Sequence, residues 1–98
     1  MRKGILEYCI LAIISRNEVY ASDILETLKT AEIVVVEGTV YPLLTRMKNE
    51  GLLSYRWQES TGGPPRKYSS LTDDGRTLLN QLSNEWQSIC QAVNQITQ

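Results

Sequence analysis

The stretch EGTVYPLLTRMKNEGLL, residues 37 to 53, decides the fold of this chain. Its apolar side chains recur at spacings of three and four, which is the stripe of an amphipathic helix. They are Val40, Leu43, Leu44 and Met47. One side of this helix is therefore expected to pack inward, while the other is free to contact a partner. Gly51 stands where such a helix would end, and the apolar period changes to two from Leu52 onward, so a strand is predicted next.

The residues after this helix predict a β-hairpin. Leu53, Tyr55 and Trp57 alternate with polar residues, and a turn at residues 61 to 65 separates them from a second extended stretch. Because the apolar residues share one face, that face is expected to rest on the helices. A short helix running directly into a hairpin is typical of a winged helix-turn-helix. The predicted fold class is therefore mainly α with a small β-hairpin (α+β), and DNA is the leading partner.

The turn of the hairpin carries residue types that suit a phosphate group. Gly62 and Gly63 allow the backbone to approach a phosphate closely, and Arg66 and Lys67 directly after them supply positive charge. The alternative is a solvated turn with ordinary surface charges. A nucleotide-binding loop is excluded, since the two glycines lie in a hairpin turn and not between a strand and a helix.

Two further helices are predicted before the central one. Residues 4 to 15 are apolar at nearly every position, so they suit a helix that is covered on most sides, including by a second subunit. Residues 20 to 29 form the first helix of the helix-turn-helix, with Ser22 or Asp23 able to cap its start. Residues 33 to 36 are either a short strand or a buried turn.

The end of the chain predicts a long helix with an apolar seam. Thr72 can cap its start, and residues 73 to 97 would form a rod of ~37 Å. The seam follows the three-and-four spacing of a coiled coil and consists of Leu79, Leu82, Trp86, Ile89, Val93 and Ile96. A homodimer is the simplest way to bury this seam, although packing against the amino-terminal helix of either subunit would bury part of it. We therefore divide the chain into a DNA-binding domain, residues 1–71, and a dimerisation helix, residues 72–98.

Composition limits the class of protein. The 98 residues suit one small domain, and the net charge of −1 argues against a protein that coats nucleic acid indiscriminately. Residues 38 to 71 nevertheless carry five basic and two acidic side chains. Histidine is absent, and neither Cys9 nor Cys90 has a base nearby, so no enzyme, metal or cofactor is expected. Both cysteines suit small buried side chains better than a redox pair. With no signal peptide or membrane span in the sequence, a cytoplasmic location is expected.

These motifs resemble the PadR family of bacterial transcriptional regulators, in the short form with a single carboxy-terminal dimerisation helix. The resemblance runs from about residue 4 to about residue 86 and rests on EGTVYPLLTRMKNEGLL, GGPPRKY and LTDDGR in this order. It implies a dimeric repressor that binds a palindromic operator. The alternative is a dimeric winged-helix interaction module without sequence-specific DNA binding.

The chain departs from the family pattern at three positions. Ser22 and Ser69 each stand where members often have a tyrosine. Val36 replaces a serine that caps the recognition helix in matching members, so Glu37, Thr39, water or a DNA phosphate is expected to satisfy the helix start. Pro42 is expected to cost little because it lies near that start.

The resemblance and the helix pattern together give roles to individual residues. Thr39, Tyr41 and Arg46 are expected to face DNA from the recognition helix, while Arg66 and Lys67 hold the flanking backbone.

Trp86 has two possible roles. Its indole is bulky for a coiled-coil seam, so an apolar gap between subunits is one expectation. The family includes a multidrug-binding regulator whose paired tryptophans at the matching position sandwich flat aromatic compounds. The resemblance therefore implies a planar hydrophobic small molecule as a partner that releases the operator. The alternative is that Trp86 fills the dimer core.

Overall fold

A computed structural model describes residues 2–33, 35, 37–60 and 62–98, without the side chains of residues 2, 3 and 60. Four helices and three strands are found in these residues, in the order α1 (Arg2–Arg16), β1 (Val19–Tyr20), α2 (Ala21–Thr30), α3 (Glu37–Asn49), β2 (Leu53–Ser60), β3 (Gly63–Leu71) and α4 (Asp73–Thr97). The strands form one antiparallel sheet in the order β1-β3-β2. Helix α2, the turn after it and α3 make the helix-turn-helix, and β2 and β3 make the wing.

The core lies where α1, α2 and α3 meet the base of the wing. Its buried side chains come from the apolar stripe of each element, and Leu53 is the contribution of β2. They are Ile10, Leu11, Ile14, Ile24, Leu28, Val40, Leu43, Leu44, Met47 and Leu53. All four residues of the stripe predicted in α3 are buried, which leaves the opposite side of that helix exposed.

The short strand β1 was not predicted from the sequence. Val19 pairs with Ser69 and Tyr20 pairs with Tyr68, so Tyr20 belongs to the sheet and α2 begins one residue later. Two residues are too few to show an alternating pattern, and the strand exists only because β3 offers it a free edge. Asp23, one of the two predicted caps, accepts a hydrogen bond at 3.0 Å from the backbone N–H of Tyr20.

Helix α3 ends at Gly51 as predicted. Gly51 adopts φ 81°, and the backbone N–H groups of Gly51 and Leu52 donate to the carbonyls of Lys48 and Met47, each at 3.0 Å. This pair of bonds is the Schellman motif, in which the left-handed residue is usually glycine. The chain is thereby turned from α3 directly into β2.

Helix α2 ends in the same motif with a glutamate in the left-handed position. Glu32 has φ 64°, and the N–H groups of Glu32 and Ile33 donate at 2.9 Å to Lys29 and Leu28. Ile33 and Val35, in the segment predicted as a strand or a buried turn, are partly buried and belong to no helix or strand. Val34 and Val36 lie outside the described residues, and so does the predicted lack of a cap at Val36.

Glu32→Gly is expected to raise the free energy of unfolding by about 0.5–1 kcal/mol. A side chain with a Cβ pays roughly 1 kcal/mol in the left-handed region, while glycine does not. Urea unfolding followed by circular dichroism measures the change. The matched control is Glu32→Ala, which removes the same charge but keeps the Cβ. If both variants are stabilised equally, the charge and not the backbone conformation is responsible.

Candidate nucleic-acid interface

The exposed side of α3 presents small side chains. With 100° between successive residues, the line opposite the core passes through every third or fourth position and is made of Gly38, Pro42, Thr45 and Asn49, all exposed. Thr39 and Tyr41 are exposed as well, but they lie on the two flanks of this line. Small side chains along the centre allow a helix to approach a surface closely. The residues on this line were not singled out from the sequence, although the core stripe already fixes its position.

Pro42 costs more than the sequence suggested. Helix α3 begins at Glu37, so Pro42 is in its second turn and not among the first positions, where a donor would be unpaired anyway. Pro42 has no N–H to donate to the carbonyl of Gly38. The expectation that this proline costs little was therefore wrong, because Pro42 lies beyond the first turn of the helix.

The wing is attached to α3 through Tyr55 on β2. The Tyr55 hydroxyl donates a hydrogen bond at 3.3 Å to the carbonyl of Leu44. Partial burial raises the pKa of Tyr55, so the hydroxyl keeps its proton and remains a donor. Lys67, on the neighbouring strand, places its ammonium 4.0 Å from the centre of the Tyr55 ring. The Lys67 charge is therefore held on the side of the wing that faces the recognition helix.

Trp57 differs from its predicted position. Leu53 is buried and Tyr55 half-buried, but Trp57 on the same face of β2 is 66% exposed. Both strands of the wing are exposed in their described outer halves, at residues 56–59 and 63–67. Trp57 pairs across the sheet with Lys67, whose ammonium lies 5.9 Å from the indole centre. Together they form an exposed aromatic and cationic patch.

The opposite face of the wing carries a ladder of rings and guanidinium groups. Tyr20 and Tyr68 stack with their centroids 4.1 Å apart. Arg66 lies 5.0 Å from the Tyr20 centroid, and Arg56 lies 5.2 Å from that of Tyr68. Arg66 and Lys67, predicted to act together on DNA, thus project from opposite faces because neighbouring residues in a strand alternate.

Arg56 is not a free charge. Its guanidinium donates two hydrogen bonds, of 2.9 and 3.1 Å, to the carboxylate of Glu18. The bond lowers the pKa of Glu18 and raises the pKa of Arg56, since each charge stabilises the other. Arg66 and Lys67, in contrast, form no ion pair with a carboxylate among the described residues.

The turn between β2 and β3 requires a glycine at one of the two glycine positions. Gly62 has φ 81°, a conformation that glycine adopts readily. Gly63 begins β3 and pairs with Ser60, while Thr61 lies outside the described residues. The turn geometry accounts for Gly62 without a ligand, and the predicted approach to a phosphate stays a prediction.

Arg46 is placed differently from the other predicted DNA-contacting residues. Its guanidinium forms ion pairs with Glu7 of α1 and, at 2.8 Å, with Glu50. Each terminal nitrogen of the group thus donates one hydrogen bond within the protein, and the predicted contact between Arg46 and DNA stays a prediction. The signal available in the sequence was Glu7, a lone acid in an apolar helix.

The predicted seam of α4 has two parts that differ in burial. Leu79 and Leu82 are partly buried against the core of their own subunit, whereas four seam residues farther along are exposed. Those four, which we call the distal stripe, are Trp86, Ile89, Val93 and Ile96. Their exposure rises from 39% at Trp86 to 83% at Ile96. Packing within the subunit therefore buries part of the start of the seam and leaves the distal stripe exposed.

The two cysteines are free thiols and are both partly buried. Burial raises the pKa of Cys9, which favours the protonated thiol over the reactive thiolate. Among residues 2–33, 35, 37–60 and 62–98, no cluster of three acids, cysteines or histidines is arranged to hold a metal ion. None of the four helices in the described part of the chain is long and apolar enough to cross a membrane.

Comparison with known proteins places this geometry among transcription factors. The Transcriptional regulator PadR-like family matches residues 10–81. A PadR-like transcription factor from Bacteroides fragilis is 55% identical, with a TM-score of 0.85 over 98% of this chain and 93% of that one. A PadR-like transcriptional regulator from Bacillus cereus is 40% identical, with a TM-score of 0.87 over 100% of this chain and 96% of that one.

A third similar structure contains nucleic acid. Bacillus subtilis PadR in complex with operator DNA is 25% identical and has a TM-score of 0.70, over 79% of this chain and 45% of that one. The four helices and the antiparallel sheet match these structures, so the predicted α+β winged-helix fold is confirmed.

Proposed function

We propose that this protein is a repressor that binds a two-fold symmetric operator as a homodimer. The chain belongs to the PadR-like family of transcriptional regulators. PadR-like proteins are transcriptional regulators and not enzymes. The observation that carries the proposal is the pairing of an exposed recognition helix with a wing whose Lys67 is held on the same side. Tyr55 joins these two surfaces through its bond to Leu44.

The division of roles follows from where the side chains lie. Thr39 and Tyr41, on the flanks of the small-residue line of α3, are placed to reach base edges when that line enters the major groove. Lys67, Arg66 and the Gly62–Gly63 turn would contact the sugar–phosphate backbone, which positions the protein without reading sequence. Arg46 is left out of this set.

The homodimer is proposed from the distal stripe. Trp86, Ile89, Val93 and Ile96 form a strip of large apolar side chains on one side of α4, and an exposed strip of this kind marks an interaction surface. A second copy provides the same strip with the same spacing, so the two helices cover each other. Residues 1–71 would then read DNA, and residues 72–98 would set the distance between the two reading units.

We also propose that an aromatic ligand binds at Trp86 and releases the protein from the operator. Trp86 is 39% exposed beside other apolar residues, and the rings of two subunits can hold a planar molecule between them. Binding that changes the spacing of the two α3 helices would lower the affinity for the operator.

Quenching of tryptophan fluorescence by planar dyes tests the ligand site. The measurement uses a Trp57→Phe background, since Trp57 is exposed on the wing and would add its own signal. Quenching is expected in this background and should be lost in the Trp57→Phe, Trp86→Phe double variant, for which the signal comes from tyrosine alone. If dyes at saturating concentration leave Trp86 emission unchanged, Trp86 only fills the dimer core.

Lys67→Ala is expected to weaken binding to every duplex by a similar factor, about threefold to tenfold, because a phosphate contact carries no sequence information. The slope of log Kd against log salt should also fall by about one for each subunit on the DNA. Arg66→Ala is measured beside it and should also weaken binding to every duplex, but by a smaller factor, since Arg66 projects from the face away from α3. Equal losses for the two variants would contradict this orientation of the wing.

The alternative function is a dimeric interaction module that keeps the fold without reading DNA. A cleft of about 510 Å³ beside the start of α3 favours it. Glu26, Glu32 and Glu37 outnumber Lys29 in the lining of this cleft, so its charge is negative and disfavours contact with DNA. Selection from a library of random duplexes separates the two functions. A repressor should enrich one two-fold symmetric sequence, whereas a module without DNA reading should enrich none. A role on genomic DNA also implies a cytoplasmic location.

A further inference from the structure

Glu7 lies on the core side of α1. It is three residues before Ile10 and four before Leu11, both fully buried, and its own side chain is only 18% exposed. It is also the one charged residue of the apolar run from residue 4 to residue 15. A carboxylate taken this far from water needs a partner, since an unpaired charge at such a place is costly. Arg46 is that partner.

The charges around Arg46 argue against a phosphate site. Glu7 takes one terminal nitrogen of the guanidinium and Glu50 takes the other. One guanidinium between two carboxylates leaves a net charge of −1, which repels a phosphate. The local charge around Arg46 is thus unfavourable for the DNA backbone, and each terminal nitrogen already donates one bond to a carboxylate of the protein.

The ion pair joins two helices that have different tasks. Arg46 belongs to the recognition helix, and Glu7 belongs to α1, which packs against α4. Helix α3 itself packs mainly on α2 and β2. The Glu7–Arg46 pair therefore fixes the rotation of α3 relative to the helix that carries the dimerisation surface.

We infer that Arg46 is a positioning residue of the recognition helix, acting through Glu7, and not a DNA contact. The inference rests on the proposed function, because it concerns the reading of the operator. It makes Glu7, which belongs to α1 and not to the recognition helix, a residue on which operator affinity depends.

The test is the operator affinity of Glu7→Gln and Arg46→Gln, measured by fluorescence anisotropy. The probe is the duplex selected from the random library, and a scrambled duplex is measured beside it. Each variant is expected to weaken operator binding by about tenfold. The double variant should lose no more than either single one, because both remove the same interaction. The salt slope should stay unchanged.

The sign of the Glu7→Gln effect is decisive. If Arg46 contacts phosphate, neutralising Glu7 removes a negative charge near the DNA and strengthens binding. Arg46→Gln alone would then weaken binding and reduce the salt slope by about one per subunit. Either result overturns the inference. Glu50→Gln is the matched control, since it also frees one nitrogen of Arg46 but leaves the link to α1, and it should change the operator affinity less than twofold.

A rescue variant covers the case in which either single variant unfolds. Glu7→Met with Arg46→Leu replaces the ion pair by apolar side chains of similar length, a change that often preserves stability. Operator binding should return to within a few-fold of the unmodified protein. A folded double variant that still fails to bind would contradict positioning. A failure of the proposed function looks different, because the unmodified protein would then select no duplex at all.

Discussion

Gly75→Ala is expected to lower the free energy of unfolding by about 3 kcal/mol. A Cβ at this position would lie 2.1 Å from the carbonyl oxygen of Leu52, a distance that real contacts do not reach. Because the obstacle is backbone and not a flexible side chain, α4 would have to move away from the end of α3. Urea unfolding at fixed protein concentration measures the loss.

The matched control is Gly38→Ala in α3. A Cβ there meets nothing within 4 Å, so alanine should raise stability by up to about 1 kcal/mol through its better helix propensity. If Gly75→Ala were as stable as the unmodified protein, the close packing of α4 on Leu52 would be refuted.

The sensitivity of Gly75 comes from a junction that joins three elements. Thr72 caps α4 by accepting a hydrogen bond at 3.0 Å from the N–H of Gly75, as predicted. Its hydroxyl also donates to the carbonyl of Gly51 at 2.6 Å, and its N–H donates to Leu52 at 3.1 Å. The motif LTDDGR is thus a connection between α4 and the segment that follows α3.

The second large effect is expected from charging the distal stripe. Ile89→Asp with Val93→Asp should convert the proposed dimer into a monomer and weaken operator binding at least about a hundredfold, because two half-sites would no longer be bound together. Light scattering measures the mass and anisotropy measures the affinity. Leu82 is a poorer choice for this test, because it packs on its own core and a charge there would also unfold the subunit.

The control places the same charges on the opposite side of α4. Gln91 and Gln95 have the same spacing as the tested pair and lie about half a helical turn around from it. Gln91→Asp with Gln95→Asp should therefore remain dimeric and bind the operator normally. A dimer that survives the charges on the distal stripe, or an unmodified protein that is already monomeric, would contradict the proposed interface.

The elements that the sequence predicted are those with a strong local signal. The stripe of α3, the glycine at its end and the capping threonine of α4 each depend on a few neighbouring residues, and the structure contains all three. Strand β1 has no such signal, because it is formed by pairing with a distant part of the chain. The exposure of Trp57 was missed for a related reason: alternation shows which face of a strand is apolar but not how far the helices below it extend.

The residues of the candidate site could be predicted from the sequence, but the contacts between their side chains could not. A sequence shows that Arg66 and Lys67 are basic and adjacent, and strand alternation already separates their faces; only the structure shows that Lys67 lies toward α3. Arg46 looked available because Glu7 is 39 residues away along the chain. The charge on a side chain can be read from the sequence, whereas its partner depends on tertiary contacts.

The central claim, that this chain reads a DNA sequence as a dimer, is tested most directly by one titration. The duplex selected from the random library and a scrambled duplex of the same length are bound to the unmodified protein at several salt concentrations, with anisotropy as the signal. The proposed function predicts two protein chains per duplex, at least about a thousandfold preference for the selected sequence, and an affinity that falls steeply as salt rises. Equal affinity for the two duplexes, or no binding even at low salt, would contradict it.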